Sequence, residues 1–220
     1  LISEQAAPVH AIVREIKKRQ HWSSCTGLGW GMGAGVILVA TGRKPRTFTG
    51  LVGANGLYIS DLVQRQVRGP MEYDRFIQKL EILRAAQRDA GEPVFVRAFL
   101  PYPLDADTEH VVDNVLRYVT GYDAPPVHLS FAEELLGLDV RAFVNKIKTK
   151  PTLIVHGERN PIHPADHVRT LLEAYPKKST PDTVWLKAKH NDFMSFEHKV
   201  FGQMINRIDD WMKRTFVEPA

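Results

Sequence analysis

Apolar positions recur along this chain with two different periods. The opening segment carries Val9, Ile12, Val13 and Ile16, an i, i+3, i+4, i+7 stripe that predicts an amphipathic helix packed on a sheet. Lys17, Lys18 and Arg19 close its last turn, where cations suit the helix dipole. A β-tolerant run from Trp22 to Gly29 then predicts a strand, the glycines from Gly29 to Gly35 a sharp turn, and Val36 to Ala40 a buried helix. Thr41-Gly42-Arg43-Lys44-Pro45 reads as the end of that helix, with Gly after the last helical residue and Pro just beyond. A second strand, Phe48 to Ala54, stops at the turn signal Asn55-Gly56.

From about residue 60 to 145 the pattern is helical. Phe76, Ile77, Leu80 and Leu83 make one apolar face, and Val111, Val112, Val115, Leu116 and Val119 another, with Asp107 or Thr108 as its N-cap. Phe131 to Phe143 makes a third, less regular one. Val94 to Leu100 is open between strand and buried helix turn, and Pro101-Tyr102-Pro103 marks a loop. Alternation then resumes. Thr152 to His156 has the look of a central parallel strand covered on both faces. Asp166 begins a helix bearing Val168, Leu171, Leu172 and Tyr175; Thr183 to Leu186 is a further strand; and Phe201, Met204, Ile205, Ile208, Trp211, Met212 and Thr215 stripe a closing helix. Strand alternating with helix predicts an α/β fold, a mostly parallel sheet with right-handed crossovers and helices on both faces. Residues 1–59 and 146–220 form the core in this reading, and 60–145 a helical cap or lid.

Three local patterns in this order resemble the α/β-hydrolase family. Gly29-Trp30-Gly31-Met32-Gly33 stands where that family has its Gly-x-Ser-x-Gly nucleophile elbow, a tight strand-to-helix turn whose crowded backbone needs small flanking residues. The strand and loop from Pro151 to Pro164, containing Asn160, look like those that deliver the triad acid, and Lys189-His190-Asn191-Asp192-Phe193 like the loop that delivers the triad histidine. The resemblance covers the C-terminal two thirds of the family fold, and nothing before residue 20 supplies its early strands. It implies catalytic positions at Gly31, Asn160 and His190, and it implies a degraded triad. Gly31 has no side chain to attack a carbonyl, and Asn160 cannot stabilise an imidazolium by charge.

Other residues offer alternatives. Cys25 as a substitute nucleophile sits inside the expected strand and reads as a small buried hydrophobe. His156, His163 and His167 raise a metal site, but no acidic residue completes an HExxH pattern; His156 reads as packed at a strand end and the other two as solvated. Glu158, Asp192 and Asp61 are alternative acids, with surface or capping roles as the plainer reading. Trp30, Met32, Tyr58 and Phe193, with Phe99 and Tyr102, are candidates to line an apolar pocket, although ordinary core packing explains each singly.

Composition narrows the classes. The 220 residues, 44% hydrophobic and 25% charged, suffice for a sizeable core, and no apolar run approaches the roughly 20 residues of a membrane span. One cysteine excludes an internal disulfide and multi-cysteine metal sites, which fits a cytoplasmic setting. The net charge of +4 is spread along the chain and reads as a solvated surface rather than a nucleic-acid footprint. The expected function is binding of a small acyl or ester-like ligand without serine-hydrolase turnover, with no cofactor. The alternative is an active esterase, thioesterase or acyltransferase using His190 with an unorthodox constellation, or one silenced by changes at residues 31 and 160. An unpaired edge on the first strand predicts a homodimer or a partner segment completing the sheet.

Overall fold

The structure, a computed structural model, describes residues 2–97, 104–116 and 125–217. Phe99, Tyr102 and Val119, each assigned a role above, lie outside them. The described chain divides into two compact units, Ser60–Leu138 and the remainder formed by Ile2–Ile59 with the segment from Asp139 onward.

The second of these units is built on a four-stranded parallel sheet. Helix α1 (Ile2–Gln20) precedes strand β1 (Thr26–Trp30), helix α2 (Met32–Arg43) and strand β2 (Gly50–Ala54). The sheet order is β1-β2-β5-β6, where β5 is Thr152–Gly157 and β6 is Asp182–Leu186. Every residue of β2 and β5 is buried, so these central strands are apolar on both faces rather than alternating. Period two still sorts their side chains. Val52, Ala54, Leu153 and Val155 share one face and pack against Val200, Met204 and Trp211 of the closing helix, Lys199–Phe216. The Trp211 indole donates to Asp182 Oδ2 at 2.9 Å, fastening that helix to β6.

The structure corrects three local expectations here. Helix α1 packs on α2 rather than on the sheet, burying Ala6 and half-burying Val9 and Val13 while Ile12 and Ile16 stay exposed, so only part of the predicted stripe is covered. Strand β1 begins at Thr26, and Cys25 precedes it, half-buried, with its amide donating to Thr49 Oγ1. Gly42 does not end α2, which continues to Arg43; the Phe143 ring lies where a Cβ on Gly42 would stand, so the glycine serves close packing instead.

In the unit Ser60–Leu138, helices α3 (Ser60–Arg68) and α4 (Pro70–Ala90) are joined by Gly69, with Pro70 at the first helical position where its missing N–H costs nothing. Phe76 and Leu80 of α4 share a core with Val96, Leu129 and Ala132. Val96 belongs to β3 (Phe95–Val96), which pairs antiparallel with β4 (Val127–His128), so part of the open stretch 94–100 is strand. Helix α5 (Ala106–His110) runs on as a π-helical segment, Val111–Leu116. Its N-cap is Asp105, whose carboxylate accepts from the Thr108 amide, and neither Asp107 nor Thr108. The third expected helix is two pieces. Helix α6 (Leu129–Leu136) stops at Gly137, and a 3-10 turn (Val140–Phe143) leads into helix α7 (Val144–Ile147) within the sheet-bearing unit. The remaining helices are α8 (Ala165–Glu173) and the closing helix, α9. Among the described residues no helix is long and apolar enough to cross a membrane.

Candidate functional site

Parallel pairing brings the C-terminal ends of the four core strands to one edge, within two residues of each other in register. Trp30 pairs with Ala54, Ala54 with Val155, and Gly157 with Leu186. The residues just past these ends are Gly31, Asn55, the Glu158–Pro164 loop and the loop carrying His190. Open parallel sheets place ligands at this edge.

Gly31 joins β1 to α2 with φ 58° and ψ −128°, a backbone that strains any residue with a Cβ. Its amide donates to the Ala54 carbonyl, and its own carbonyl accepts from Leu57 N and Ala34 N, so the turn is held on three sides. Of the flanking glycines only Gly29 is sterically demanded, because a Cβ there would overlap the Gly33 carbonyl; Gly33 itself has open space. A Cβ built on Gly31 would stand 3.9 Å from both Nε2 and Cε1 of His190. The sequence-predicted nucleophile and histidine positions thus come together, with no nucleophile between them. Met32 starts α2, which puts its amide among those lacking an intrahelical partner.

His190 is 3% exposed and held from three directions. Its ring lies 4.4 Å from that of Trp30 and 5.0 Å, edge-on, from that of His163. Its carbonyl accepts from Asn55 Nδ2 at 3.0 Å, while Asn55 Oδ1 accepts from the Gly157 amide at 2.8 Å. Asn55 therefore ties the histidine loop to the end of β5. It was visible in the sequence only as half of a turn signal, and it does occupy the left-handed conformation, φ 47°, that Asn tolerates.

Asn160 Nδ2 lies 3.1 Å from His190 Nδ1. The orientation of this amide follows from its other end, because Oδ1 accepts from the backbone amides of Ile162 and His163 at 3.1 and 3.0 Å. A flipped amide would set its NH2 against two N–H donors. Nδ2 therefore donates, Nδ1 of His190 accepts, and the proton of the neutral ring sits on Nε2, the nitrogen facing Gly31. A triad carboxylate holds the opposite tautomer, with Nδ1–H toward the acid and a basic lone pair on Nε2. With Asn160 as its partner, His190 therefore presents a donor, not a base, on the side of Gly31.

The three remaining histidines correct an expectation. His163 and His167 are not solvated; with His156 they are completely buried. His156 Nε2 donates to the His163 carbonyl at 2.8 Å, and His163 Nδ1 to the Asn55 carbonyl at 2.7 Å. Burial holds His163 well below the usual histidine range and His156 down at about 3, with the neighbouring His190 and His167 rings adding to the effect in turn. His167 is also lowered by burial, although the carbonyls of Pro164 and Gly56 at its two nitrogens pull the other way. His156 and His163 form a neutral, hydrogen-bonded floor under the acid loop, while a neutral His167 can donate to only one of the two carbonyls at its nitrogens. Among the described residues no group of His, Cys, Asp or Glu is arranged to hold a metal ion.

The alternative acids have other places. Glu158 is exposed, and Asp192 accepts from the Lys189 amide at 2.8 Å, bracing its own loop. Asp61 lies in the other unit, in the first turn of α3, bonded to Arg65 and Tyr73. Of the aromatic candidates, Trp30 touches His190 and Met32 is half-buried at the start of α2. Phe193 sits in the core with Val155 and Val200, and Tyr58 is fully buried, its ring against Gly53 and Gly56.

No protein-family model matches the sequence, and no curated protein matches it. Solved structures match in fold. The chain is 17% identical to the alpha/beta hydrolase GrgF from Penicillium sp. sh18, with a TM-score of 0.68 over 99% of this chain and 73% of that one. It is 15% identical to a monoacylglycerol lipase from Paleococcus ferrophilus, TM-score 0.62, over 94% of this chain and 74% of that one. It is 16% identical to a hypothetical protein from Pseudomonas aeruginosa, TM-score 0.56 over 83% of this chain, and spans only 59% of that protein's length. A parallel sheet with its turn, acid-loop and histidine-loop positions converging at one edge, together with these likenesses, gives the chain the α/β-hydrolase fold.

Proposed function

We propose that this protein binds a small acyl or ester-like ligand beside His190 and does not hydrolyse it by a serine-type route. The observation that carries this reading is the contact between Asn160 and His190, which places the ring proton on Nε2. A donor at that point suits a carbonyl or carboxylate oxygen, and Gly31 leaves space there that a nucleophile's side chain would fill. Trp30 adds a donor-only indole whose N–H is buried and without a partner among the described residues. A second reading, an esterase-type enzyme silenced only at positions 31 and 160, draws on the retained elbow backbone of Gly31.

The test pairs binding with turnover. A fluorophosphonate probe and short nitrophenyl esters should give background signals, while 2-octanone, a carbonyl ligand without a leaving group, should show saturation-transfer NMR contact that His190→Ala abolishes. Ester turnover lost in His190→Ala would overturn the proposal. We extend it to self-association, since β1 has a strand on only one side among the described residues. Light scattering that finds a monomer at all concentrations would remove that extension.

A further inference from the structure

The basic residues that look scattered in the sequence converge at one place. Between α1 and the turn that follows α2 lies a cleft of about 400 Å³, lined by His10, Arg14, Lys17, Lys44, Arg46 and Thr47. Its other lining residues are small and apolar, and among the described residues no Asp or Glu lines it. The wall is a fixed structure. Thr47 donates through both its amide and its hydroxyl to the Lys44 carbonyl, at 3.0 and 2.8 Å. The Thr47 hydroxyl then accepts from His10 Nδ1 at 2.7 Å, and the Thr47 carbonyl from Lys17 Nζ at 3.1 Å. The second ring nitrogen of His10 is buried and has no partner among the described residues.

Helix dipoles account for cations at the ends of α1 and α2, but Arg14 lies a turn earlier in α1 and Arg46 beyond the end of α2. Four cations in one concavity repel each other, and among the described residues no carboxylate lines it to offset them. The field is felt locally, for burial first and then Lys44 and Arg43 hold His10 below the usual histidine range. The volume is that of a small-molecule site rather than of an extended stripe following a polyanion.

We propose that this cleft binds the phosphoryl group of a small phosphorylated molecule, with Arg14, Lys17, Lys44 and Arg46 neutralising the dianion. The site stands at the other end of α2 from Gly31, whose 12 residues put roughly 18 Å between them at 1.5 Å per residue. It is therefore a separate place from the site at His190.

Calorimetric titration of the full chain with phenyl phosphate, with phosphatidic acid in phosphatidylcholine vesicles, and with single-stranded DNA tests it. Saturable binding of phenyl phosphate, weakened about tenfold by Lys44→Ala and by Arg46→Ala, is the expected result, since each removes a charge-assisted contact. Both residues are exposed, so the variants should fold, which unchanged thermal melting verifies. A marked preference for the phosphatidic acid vesicles supports the same chemistry with a lipid headgroup as its source. Phosphate binding should also move the His10 ring titration upward in NMR, because the anion offsets Lys44 and Arg43. Absence of binding to phenyl phosphate and vesicles at about 10 mM phosphate, binding indifferent to both variants, or salt-sensitive binding to DNA alone would overturn the proposal.

Discussion

Asn160 donates its amide proton to Nδ1 of His190 across 3.1 Å, and two backbone amides gripping the opposite oxygen prevent the amide from turning round. One side-chain atom type, nitrogen in place of oxygen, thereby sets which nitrogen of a buried histidine carries the proton. The first prediction concerns that proton. Nitrogen NMR of the His190 ring at about pH 8, where an ordinary histidine is neutral, should show a protonated Nε2 and a bare Nδ1. In Asn160→Asp the assignment should reverse, because a carboxylate only accepts. The same pattern in both proteins would refute the tautomer argument.

Activity should return only when both positions are restored. Gly31→Ser alone places a hydroxyl near a nitrogen that cannot take its proton, and Asn160→Asp alone creates a base with nothing to activate. The double variant should label with fluorophosphonate and cleave nitrophenyl esters, exceeding Gly31→Ser by up to about 10⁴-fold, the scale by which the reverse acid change slows a Ser-His-Asp triad. Equal rates in the single and double variants would show that Asn160 does not limit the site.

Any side chain at residue 31 costs stability. A Cβ there is 3.9 Å from the nearest described side chain, so the cost is backbone strain at φ 58° rather than a clash. Gly31→Ala should therefore lose about 1–2 kcal/mol in urea unfolding. A neutral or stabilising effect would mean that the turn relaxes.

Gly53 tests a different mechanism, steric overlap. A Cβ on Gly53 would meet the Tyr58 hydroxyl, at the end of a rigid, wholly buried ring. Gly53→Ala should destabilise by about 1–3 kcal/mol through overpacking. Adding Tyr58→Phe removes the oxygen that is struck, so the double variant should recover part of the loss in a double-mutant cycle. Strict additivity would place the strain elsewhere.

Acid should weaken this fold before its carboxylates are protonated. His156, His163 and His167 have folded pKa values below their unfolded value near 6.5, so between the two the unfolded chain holds more protons. Their stabilising effect is complete above about pH 6.5 and is lost as the pH falls toward the folded values, which for His156 is about 3. Urea unfolding between pH 7 and 4 should show stability falling by up to about 1.4 kcal/mol per pH unit for each of the three. A flat profile over that range would show that these rings are already charged in the folded protein.

Local physics was legible along most of the chain. Short apolar runs such as Leu51 to Ala54 and Leu153 to Val155 announce buried parallel strands because nothing polar interrupts them, and Asn55-Gly56 announces a turn because few residues accept a positive φ. Gly31, Asn160 and His190 were readable as a set through the resemblance to the α/β-hydrolase family, and parallel pairing brings the strands before them to one edge. Tertiary structure decided what depends on a partner far along the chain. The contact face of α1 is set by α2, which leaves Ile12 and Ile16 of the stripe exposed, His163 and His167 are buried beside backbone carbonyls of the Asn55-Gly56 turn, and Asn55 acquires its role from His190, 135 residues away. The basic cleft arises in the same way, since Arg14 and Lys17 meet Lys44 and Arg46 only once α1 lies on α2. A sequence shows which side chains can donate, accept or repel; which of them come within hydrogen-bonding reach, and so which proton sits where, is fixed only when the chain has folded.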